Sequence, residues 1–242
     1  MKSRWHRRVF DAVGLTEYPP GPNLVRLGAQ KVYVTRPGND NIGEILTSMD
    51  VEFLPFLGTF DCSLLFVNCG TPDQIDPGKL AEFVRAGGCL YASDHADTLI
   101  DQAFPGVFDF GGHIGNRGQV TADVLDPDLK DILGARIEIE FDMGIWAVLR
   151  RGKGESLLIS AEGSQQAGSP IMAYAKYGAG SILYTCFHNK AQTSDREKRL
   201  LQLLVVRQFS ATSRQTFEQA GRALGLSLDG IRGEFATVTV RF

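Results

Sequence analysis

Residues 76–96 read DPGKLAEFVRAGGCLYASDHA, and this stretch decides the fold. Its first half predicts a helix from about Asp76 to Ala86, with an apolar face made of Leu80, Phe83 and Val84. The pair Gly87-Gly88 ends that helix, because glycine readily adopts the backbone conformation that terminates helices. Cys89–Ala92 then predicts a buried strand. A helix that leads directly into a buried strand is typical of α/β proteins with parallel sheets.

The residues before this stretch predict three more strands and one more helix. The strands are Lys31–Thr35, Val51–Leu54 and Ser63–Asn68, and a helix capped by Asn39 or Asp40 lies between the first two. The continuous apolar sequence of the third strand favours a sheet that is covered on both faces. The order β-α-β-β-α-β predicts a three-layer, flavodoxin-like α/β fold, with a mostly parallel sheet and helices on both faces.

The residues after this stretch predict a less regular middle and a clear end of the core. Gly111–Asn116 is interpreted as a glycine-rich loop. Turn glycines predict two hairpins after that loop. A broad apolar face then predicts a long helix. The predicted segments are strands at 119–124 and 137–141 around the helix Pro127–Leu133, a hairpin of 146–149 and 156–160 through Gly152–Glu155, a hairpin of 171–176 and 181–185, and the helix 194–209 capped by Thr193 or Ser194.

The chain divides into three predicted parts. Residues 1–30 form a basic leader or linker, residues 31–208 the α/β domain, and residues 209–242 an extension made of a helix and a strand. The helix is predicted near Thr212–Leu224, and the alternating sequence of Phe235–Phe242 predicts the strand. Such a strand can add to a sheet edge, so it predicts a homo-oligomer or a protein partner.

Composition excludes several classes of protein. The 242 residues carry 25 basic and 28 acidic side chains, a net charge of −3, which gives no electrostatic case for a nucleic-acid partner. The start of the chain lacks the apolar segment of a signal peptide, and no apolar run is long enough to span a bilayer. The four cysteines form no C-x-x-C pair and are interpreted as buried thiols. We therefore expect a cytoplasmic protein.

Polar residues follow the predicted strands at the points where sites form in parallel sheets. Asn68 follows one strand, and Ser93, Asp94, His95 and Asp97 follow the next. His188 and Asn189 follow the last strand of the core. Because the carboxyl ends of parallel strands share one edge of a sheet, these side chains are predicted to meet in one cleft.

Three of the four histidines, His95, His113 and His188, lie in such turn segments. One interpretation makes them loop residues that cap helices or bind backbone carbonyls. The other makes them general acids and bases or metal ligands, with Asp94 and Asp97 beside them. No H-x-x-x-H or C-x-x-C motif supports a metal site, so we assign no metal ligand and no cofactor.

Ala92–Ala96 has the outline of a nucleophile elbow, with small residues around a central side chain. That central residue is Asp94 rather than a serine or cysteine. An aspartate nucleophile or base is one interpretation, and a helix-capping aspartate is the other. Cys89 lies inside the predicted strand, which argues against cysteine-dependent amide hydrolysis.

Three stretches resemble the class I glutamine amidotransferase-like superfamily, and its ThuA-like branch in particular. They are Val84–Ala96, Phe110–His113 and Tyr177–Asn189, which read VRAGGCLYASDHA, FGGH and YGAGSILYTCFHN. The resemblance covers roughly residues 31–208 and implies the α/β fold. Asp94 stands at the position of the amidotransferase cysteine, and His95 follows the position where ThuA-like proteins commonly carry histidine. The Cys-His-Glu triad of the superfamily is therefore not carried over to this chain.

Members of this superfamily include enzymes, sugar-utilisation proteins and domains that only bind or assemble, so the fold does not choose among these functions. The first hypothesis is a protein that binds or acts on a small polar, carbohydrate-like ligand. Asp94, His95 and His188 are then the catalytic candidates. The alternatives are a non-catalytic interaction or assembly module and a metal-assisted hydrolase. The candidates for substrate binding are Asn68, Ser93, Asp97, His113 and Asn189.

Overall fold

A computed structural model describes residues 30–70 and 75–236. Within these residues the chain folds into a nine-stranded sheet and a separate two-stranded sheet. The predicted leader lies outside the described residues, apart from Gln30. The strands are β1 (Val32–Val34), β2 (Leu54–Pro55), β3 (Leu64–Val67), β4 (Cys89–Ser93), β5 (Phe110–Ile114), β6 (Gly118–Val124), β7 (Arg136–Phe141), β8 (Trp146–Leu149), β9 (Glu155–Ser160), β10 (Pro170–Tyr177) and β11 (Gly180–Thr185).

The main sheet has the order β2-β1-β3-β4-β11-β10-β9-β6-β7. The first five of these strands pair in parallel, and the remaining pairs are antiparallel. Within the part of the sheet that is described, only β10 and β6 therefore run against the common direction. The mostly parallel sheet predicted from the sequence is confirmed. Its strand order reverses between β1 and β3, and such a reversal opens a crevice at the carboxyl ends of the strands.

Helices cover the sheet on both faces. They are α1 (Ile42–Ser48), α2 (Pro77–Arg85), α3 (Asp97–Ala103), α4 (Pro127–Leu133), α5 (Asp195–Ser213), α6 (Phe217–Ala223) and α7 (Leu228–Ala236), with 3₁₀ turns at Asp94–Ala96 and Asn189–Ala191. Every residue of β3, β4 and β11 is buried. Because successive strand residues point to opposite faces, this pattern requires a cover on each side.

The glycines of the quoted stretch pack against those of the second hairpin. A Cβ atom on Gly180 would lie 2.1 Å from the carbonyl oxygen of Gly88 and 2.2 Å from that of Val84. Gly178 has a positive φ of 59° and lies against the backbone of Arg85. Because these contacts leave no room for a side chain, the end of α2 and the β10–β11 turn can pack closely only with glycine.

Two local predictions in the middle of the chain are wrong. Gly152–Glu155 does not close a hairpin, because β8 pairs with β5 in the small sheet and β9 pairs with β10 and β6 in the main sheet. The glycine-rich segment from Gly111 is not all loop, since Phe110–Ile114 forms strand β5. Both errors have one cause: the turn and strand signals are local, whereas the pairing partner is distant in sequence.

Predictions at the helix ends also need correction. The N-cap of α1 is Asn41, not Asn39 or Asp40, and the first amide of that helix donates to Oδ1 of Asn68 instead. Ser194 caps α5 in a capping box with Glu197, as one of the two predicted caps. The next helix begins only at Phe217, because Arg214 adopts a left-handed conformation with φ 56° and ends α5.

The predicted C-terminal strand is contradicted at its beginning. Phe235 and Ala236 belong to helix α7 rather than to a strand, and the rest of that prediction lies outside the described residues. Helix α5 runs through residue 208, the predicted end of the α/β domain. None of the helices in residues 30–70 and 75–236 has both the length and the apolar character needed to cross a bilayer.

Candidate functional site

Asp94 occupies a sharp turn between β4 and α3. Its φ is +38°, a conformation that is uncommon for residues other than glycine, and its side chain is almost completely buried. The hydroxyl of Tyr184 donates to its backbone carbonyl and holds this turn in place. Strained backbone of this kind clusters at functional sites, where the surrounding structure must maintain it. The elbow outline read from the sequence is thus a real strand-to-helix elbow.

The carboxylate of Asp94 faces inward rather than capping α3. Its Oδ1 accepts a hydrogen bond of 2.7 Å from the backbone amide of Ala147. Its Oδ2 lies 3.1 Å from Nε2 of His188, 3.5 Å from Nε2 of His95 and 3.9 Å from Sγ of Cys69. The helix-capping interpretation of Asp94 is therefore wrong, because the side chain binds none of the first amides of the helix.

His188 lies between two carboxylates. Its Nδ1 is 2.7 Å from Oδ1 of Asp142, and its Nε2 faces Asp94 as a close ion pair without hydrogen-bond alignment. Burial lowers the pKa of His188, but Asp94, Cys69 and Asp40 raise it by more, so that the pKa rises from 6.5 to about 11. His188 is therefore an imidazolium at neutral pH.

Below this pair, Asp40 joins three strand ends. Its carboxylate accepts hydrogen bonds from the hydroxyl of Ser93 at 2.7 Å, from the amide of Asn189 at 2.9 Å, and from the backbone amides of Asn41 and Lys190. Burial raises the pKa of Asp40, while the hydrogen bond from Ser93, the charge of His188 and the backbone hydrogen bonds work against the rise. By binding Asp40, the side chains of Ser93 and Asn189 thus hold the ends of β1, β4 and β11 together.

Asn68 also holds backbone together. Its Oδ1 accepts from the amide of Ile42 at 2.9 Å, and its Nδ2 donates to the carbonyl of Thr35 at 3.0 Å. These contacts join the ends of β1 and β3 and cap α1. Asn68 also borders a cavity.

A second cluster lies beside Asp94, nearer the surface. His113, on β5, places its Nε2 2.8 Å from Oδ2 of Asp97, at the start of α3. The rings of His113 and His95 contact edge to face, with centroids 4.5 Å apart. The side chains of His95 and His113 are 24% and 36% exposed, so this cluster connects the buried groups with solvent.

A cavity of about 260 Å³ opens beside His95. Pockets for drug-sized ligands measure roughly 300–1,000 Å³, so this one fits a smaller molecule. Its wall carries both polar groups and apolar groups. The lining residues are Val67, Asn68, Gly70, Ile75, His95, Ala96, Thr98, Leu99 and Gln102.

The structure brings the three predicted catalytic candidates together. Asp94 lies against both His95 and His188, and His113 and Asp97 lie next to His95. Sequence reasoning missed Asp142, which follows β7 without any motif, and Cys69, for which the sequence indicates only a buried thiol. The position of Cys69 two residues after the end of β3 is the signal that could have identified it, since sites form at strand ends.

Two groups among the described residues have the donor atoms and spacing to hold a metal ion. One is the buried set Cys69, Asp94 and His188, and the other is the partly exposed set His95, Asp97 and His113. In each group, one donor atom per residue lies within 4.8 Å of the other two.

No protein-family model and no curated protein sequence matches the chain. Solved structures do match it. A putative ThuA-like protein from Bacteroides uniformis has 12% identity and a TM-score of 0.53, over 81% of this chain and 94% of that protein. A putative GMP synthase subunit from Thermoplasma acidophilum has 12% identity and a TM-score of 0.50, over 76% of this chain and 94% of that protein.

A third match is to part of a larger enzyme. The β-galactosidase from Bacillus circulans sp. alkalophilus has 11% identity and a TM-score of 0.52, over 80% of this chain but 34% of the enzyme. The chain spans about a third of the length of the β-galactosidases that it matches. At identities this low, the likeness establishes architecture and not activity. The chain therefore has the α/β fold shared by the ThuA-like protein and the GMP synthase subunit, which is the fold that the sequence resemblance implied.

Proposed function

We propose that the chain binds a small polar, carbohydrate-like ligand in the cavity beside His95 and acts on it through that histidine. The observation that carries this proposal is the position of His95, which lines the cavity and lies 3.5 Å from Asp94. His95 is thus the group that touches the ligand. Asp94 and His188 are positioning residues, which fix the orientation and the charge environment of His95 from below.

The lining of the cavity supports a sugar-like ligand. Thr98 and Gln102 offer hydrogen-bonding groups, while Leu99 and Ile75 offer an apolar surface. A sugar presents hydroxyl groups at its edge and C–H groups on its faces, so it can use both kinds of wall. The cavity volume of about 260 Å³ suits a ligand of monosaccharide size.

We further propose that the chain is a ThuA-like protein that works without a cysteine nucleophile. Asp94 occupies the strained elbow, and Cys69, the cysteine whose Sγ lies 3.9 Å from Asp94, is fully buried behind it. A ligand in the cavity cannot reach a thiol in that position. Cys62, Cys69, Cys89 and Cys186 are all unpaired, which supports a reducing, cytoplasmic setting.

Ligand binding is tested by thermal unfolding with the monosaccharides glucose, galactose and mannose, and with glutamine as a polar ligand that is not a sugar. A sugar at 100 times its Kd stabilises the fold by about 2.7 kcal/mol. For a chain of this size, that should raise the Tm by about 5 °C or more. If none of the three sugars raises the Tm, the carbohydrate-like ligand is wrong, and the assembly-module alternative gains.

The positioning role is tested by NMR detection of ligand conversion. Asp94→Asn keeps the side-chain shape and removes its charge, so we expect unchanged ligand affinity and conversion slowed about 10²–10⁴-fold. The matched control is Asp126→Asn, an equally buried aspartate that caps α4 away from the cavity and should convert ligand at the wild-type rate. Equal rates for Asp94→Asn and the wild type would contradict the role of Asp94.

A further inference from the structure

We propose that His95, Asp97 and His113 bind a divalent transition-metal ion at the mouth of the cavity. The proposal deepens the proposed function, on which its catalytic meaning rests: with the ion bound, His95 acts on the ligand through the ion that it holds. Metal binding is also measurable by itself. One donor atom from each residue lies within 4.8 Å of the other two. Ligand atoms at about 2.0–2.2 Å around a tetrahedral Zn²⁺ lie about 3.4 Å apart. Small side-chain movements would therefore complete the site.

A second observation at the same place points to a missing ligand. Oδ1 of Asp97 is buried and has no hydrogen-bond partner among the described residues, whereas Oδ2 of the same carboxylate lies 2.8 Å from Nε2 of His113. Buried carboxylate oxygens are almost always paired, because leaving one without a partner costs its hydration. A cation held by Asp97 would satisfy this carboxylate.

The donor set decides the kind of ion. Two imidazoles and one carboxylate suit Zn²⁺ or Fe²⁺, whereas Mg²⁺ and Ca²⁺ prefer oxygen ligands. Asp94 lies 3.5 Å from Nε2 of His95, so an ion held by His95 would bind the other ring nitrogen, and Asp94 would take the place of the carboxylates that commonly orient metal-binding histidines. Three protein ligands leave one coordination position of a tetrahedral ion open. Because His95 lines the cavity, that open position lies beside the cavity. An ion there would polarise a bound ligand or activate a water molecule.

The buried set of Cys69, Asp94 and His188 is the competing location. His188 already contacts a carboxylate through each ring nitrogen, with Asp94 at one side and Asp142 at the other, so a metal ion there would have to displace one of these contacts. The three residues are also buried, and none of them is among the described residues that line the cavity. The partly exposed set is therefore the one we assign.

The test is calorimetric titration of untagged, chelator-treated protein with Zn²⁺, Co²⁺ and Mg²⁺. We expect one Zn²⁺ per chain with submicromolar Kd, Co²⁺ binding with visible d–d bands, and no Mg²⁺ binding. His113→Ala removes a half-exposed ligand without disturbing the core and should weaken Zn²⁺ binding at least about 100-fold. Asp97→Asn should do the same, and circular dichroism checks that both variants are folded.

Two controls separate the outcomes. His6→Ala removes the remaining histidine and should leave the affinity unchanged, while Cys69→Ser should leave both the affinity and the Co²⁺ spectrum unchanged. Absence of Zn²⁺ binding, equal affinity in His113→Ala, or a thiolate-to-cobalt charge-transfer band that Cys69→Ser abolishes would overturn the assignment. If the protein binds Zn²⁺ but none of the sugars, the metal site is supported and the proposed carbohydrate-like ligand is wrong.

Discussion

At the scale of single residues, the site depends on a charged histidine held between carboxylates. The groups that face His188 are Asp94 after β4, Asp142 after β7, Cys69 after β3 and Asp40 after β1. Asp94, Cys69 and Asp40 together raise the pKa of His188 by more than burial lowers it, so the proton stays on His188 at neutral pH. A charge held in this way links the stability of the fold to pH.

We therefore expect stability to fall as the pH rises above 6.5. The folded pKa of about 11 exceeds the unfolded value of 6.5, so His188 contributes its full stabilisation below pH 6.5 and loses it progressively toward pH 11. The free energy of unfolding, measured by urea titration between pH 6.5 and 9, should decline by up to about 1.4 kcal/mol per pH unit. His188→Gln should flatten this slope, and His6→Gln should retain it. An unchanged slope in His188→Gln would show that His188 is not the group responsible.

The sequence predicts which residues belong to the site where a buried strand is followed directly by a cluster of polar residues. Asp94, His95 and His188 were found in this way, because the carboxyl ends of β4 and β11 meet at one edge. Asp142 was not predictable, since it comes from the antiparallel part of the sheet, where no rule ties a strand end to the site. Its role depends on how far β7 lies from β11 in the finished sheet, which only the strand order fixes.

At the scale of elements, close backbone contacts join helix α2 to the β10–β11 hairpin. Gly88 and Gly180 are in contact because their strands pair in parallel at Cys89 and Ser181. The glycines in two of the three stretches that carry the sequence resemblance, Val84–Ala96 and Tyr177–Asn189, thus serve packing between elements. This explains why these stretches predict the fold.

Gly180→Ala should therefore destabilise the protein strongly. The new Cβ would overlap the carbonyl oxygens of Gly88 and Val84, and backbone atoms cannot move aside as a flexible side chain can. We expect a loss of about 3 kcal/mol in the free energy of unfolding by urea, at the upper end of the range for overpacking. Gly144→Ala is the matched control, because its Cβ would enter open space. A loss in Gly180→Ala no greater than in this control would contradict the contact.

Pairing between elements was less predictable than the elements themselves. The sequence identified β8 and β9 as strands, yet a hairpin between them does not form, because each pairs with a strand from elsewhere in the chain. Likewise, residues 235 and 236 alternate in character as a strand would, but they continue the helix that packs on α4. Contacts with distant elements override such local preferences.

At the scale of the whole molecule, the segment after residue 208 is packed onto the rest of the chain. Helix α6 packs on α5, and α7 packs on α4. Arg232 connects them through ion pairs with Glu218 on α6 and Asp131 on α4. Leu228 and Ile231 are buried at 3% exposure each, so α7 shares the apolar core of the domain. The sequence predicted one helix in this segment, near Thr212–Leu224, but neither α7 nor this packing, because the apolar face of a helix does not identify its partner.

Ile231→Ala should lower the stability of the whole domain rather than loosen one end. Removing buried methyl groups costs about 2–4 kcal/mol when the site cannot collapse. Calorimetry should show a single transition at a lower Tm, since the helix unfolds together with the core. Leu57→Ala, at a side chain that is 64% exposed, should change the Tm little. A separate early transition in Ile231→Ala would show that the segment folds independently.

The arrangement around Asp40 has a consequence for how this site can change over time. The groups hydrogen-bonded to Asp40 among the described residues come from the end of β4 and from the segments after β1 and β11. Thr98, Leu99 and Gln102 on α3, by contrast, line the cavity and make none of these bonds. Substitutions on that helix can alter which molecule fits while the loops beneath keep their positions. Selectivity and reactivity can thus diverge separately during evolution, and a laboratory could recruit the same scaffold for new ligands by varying α3 alone.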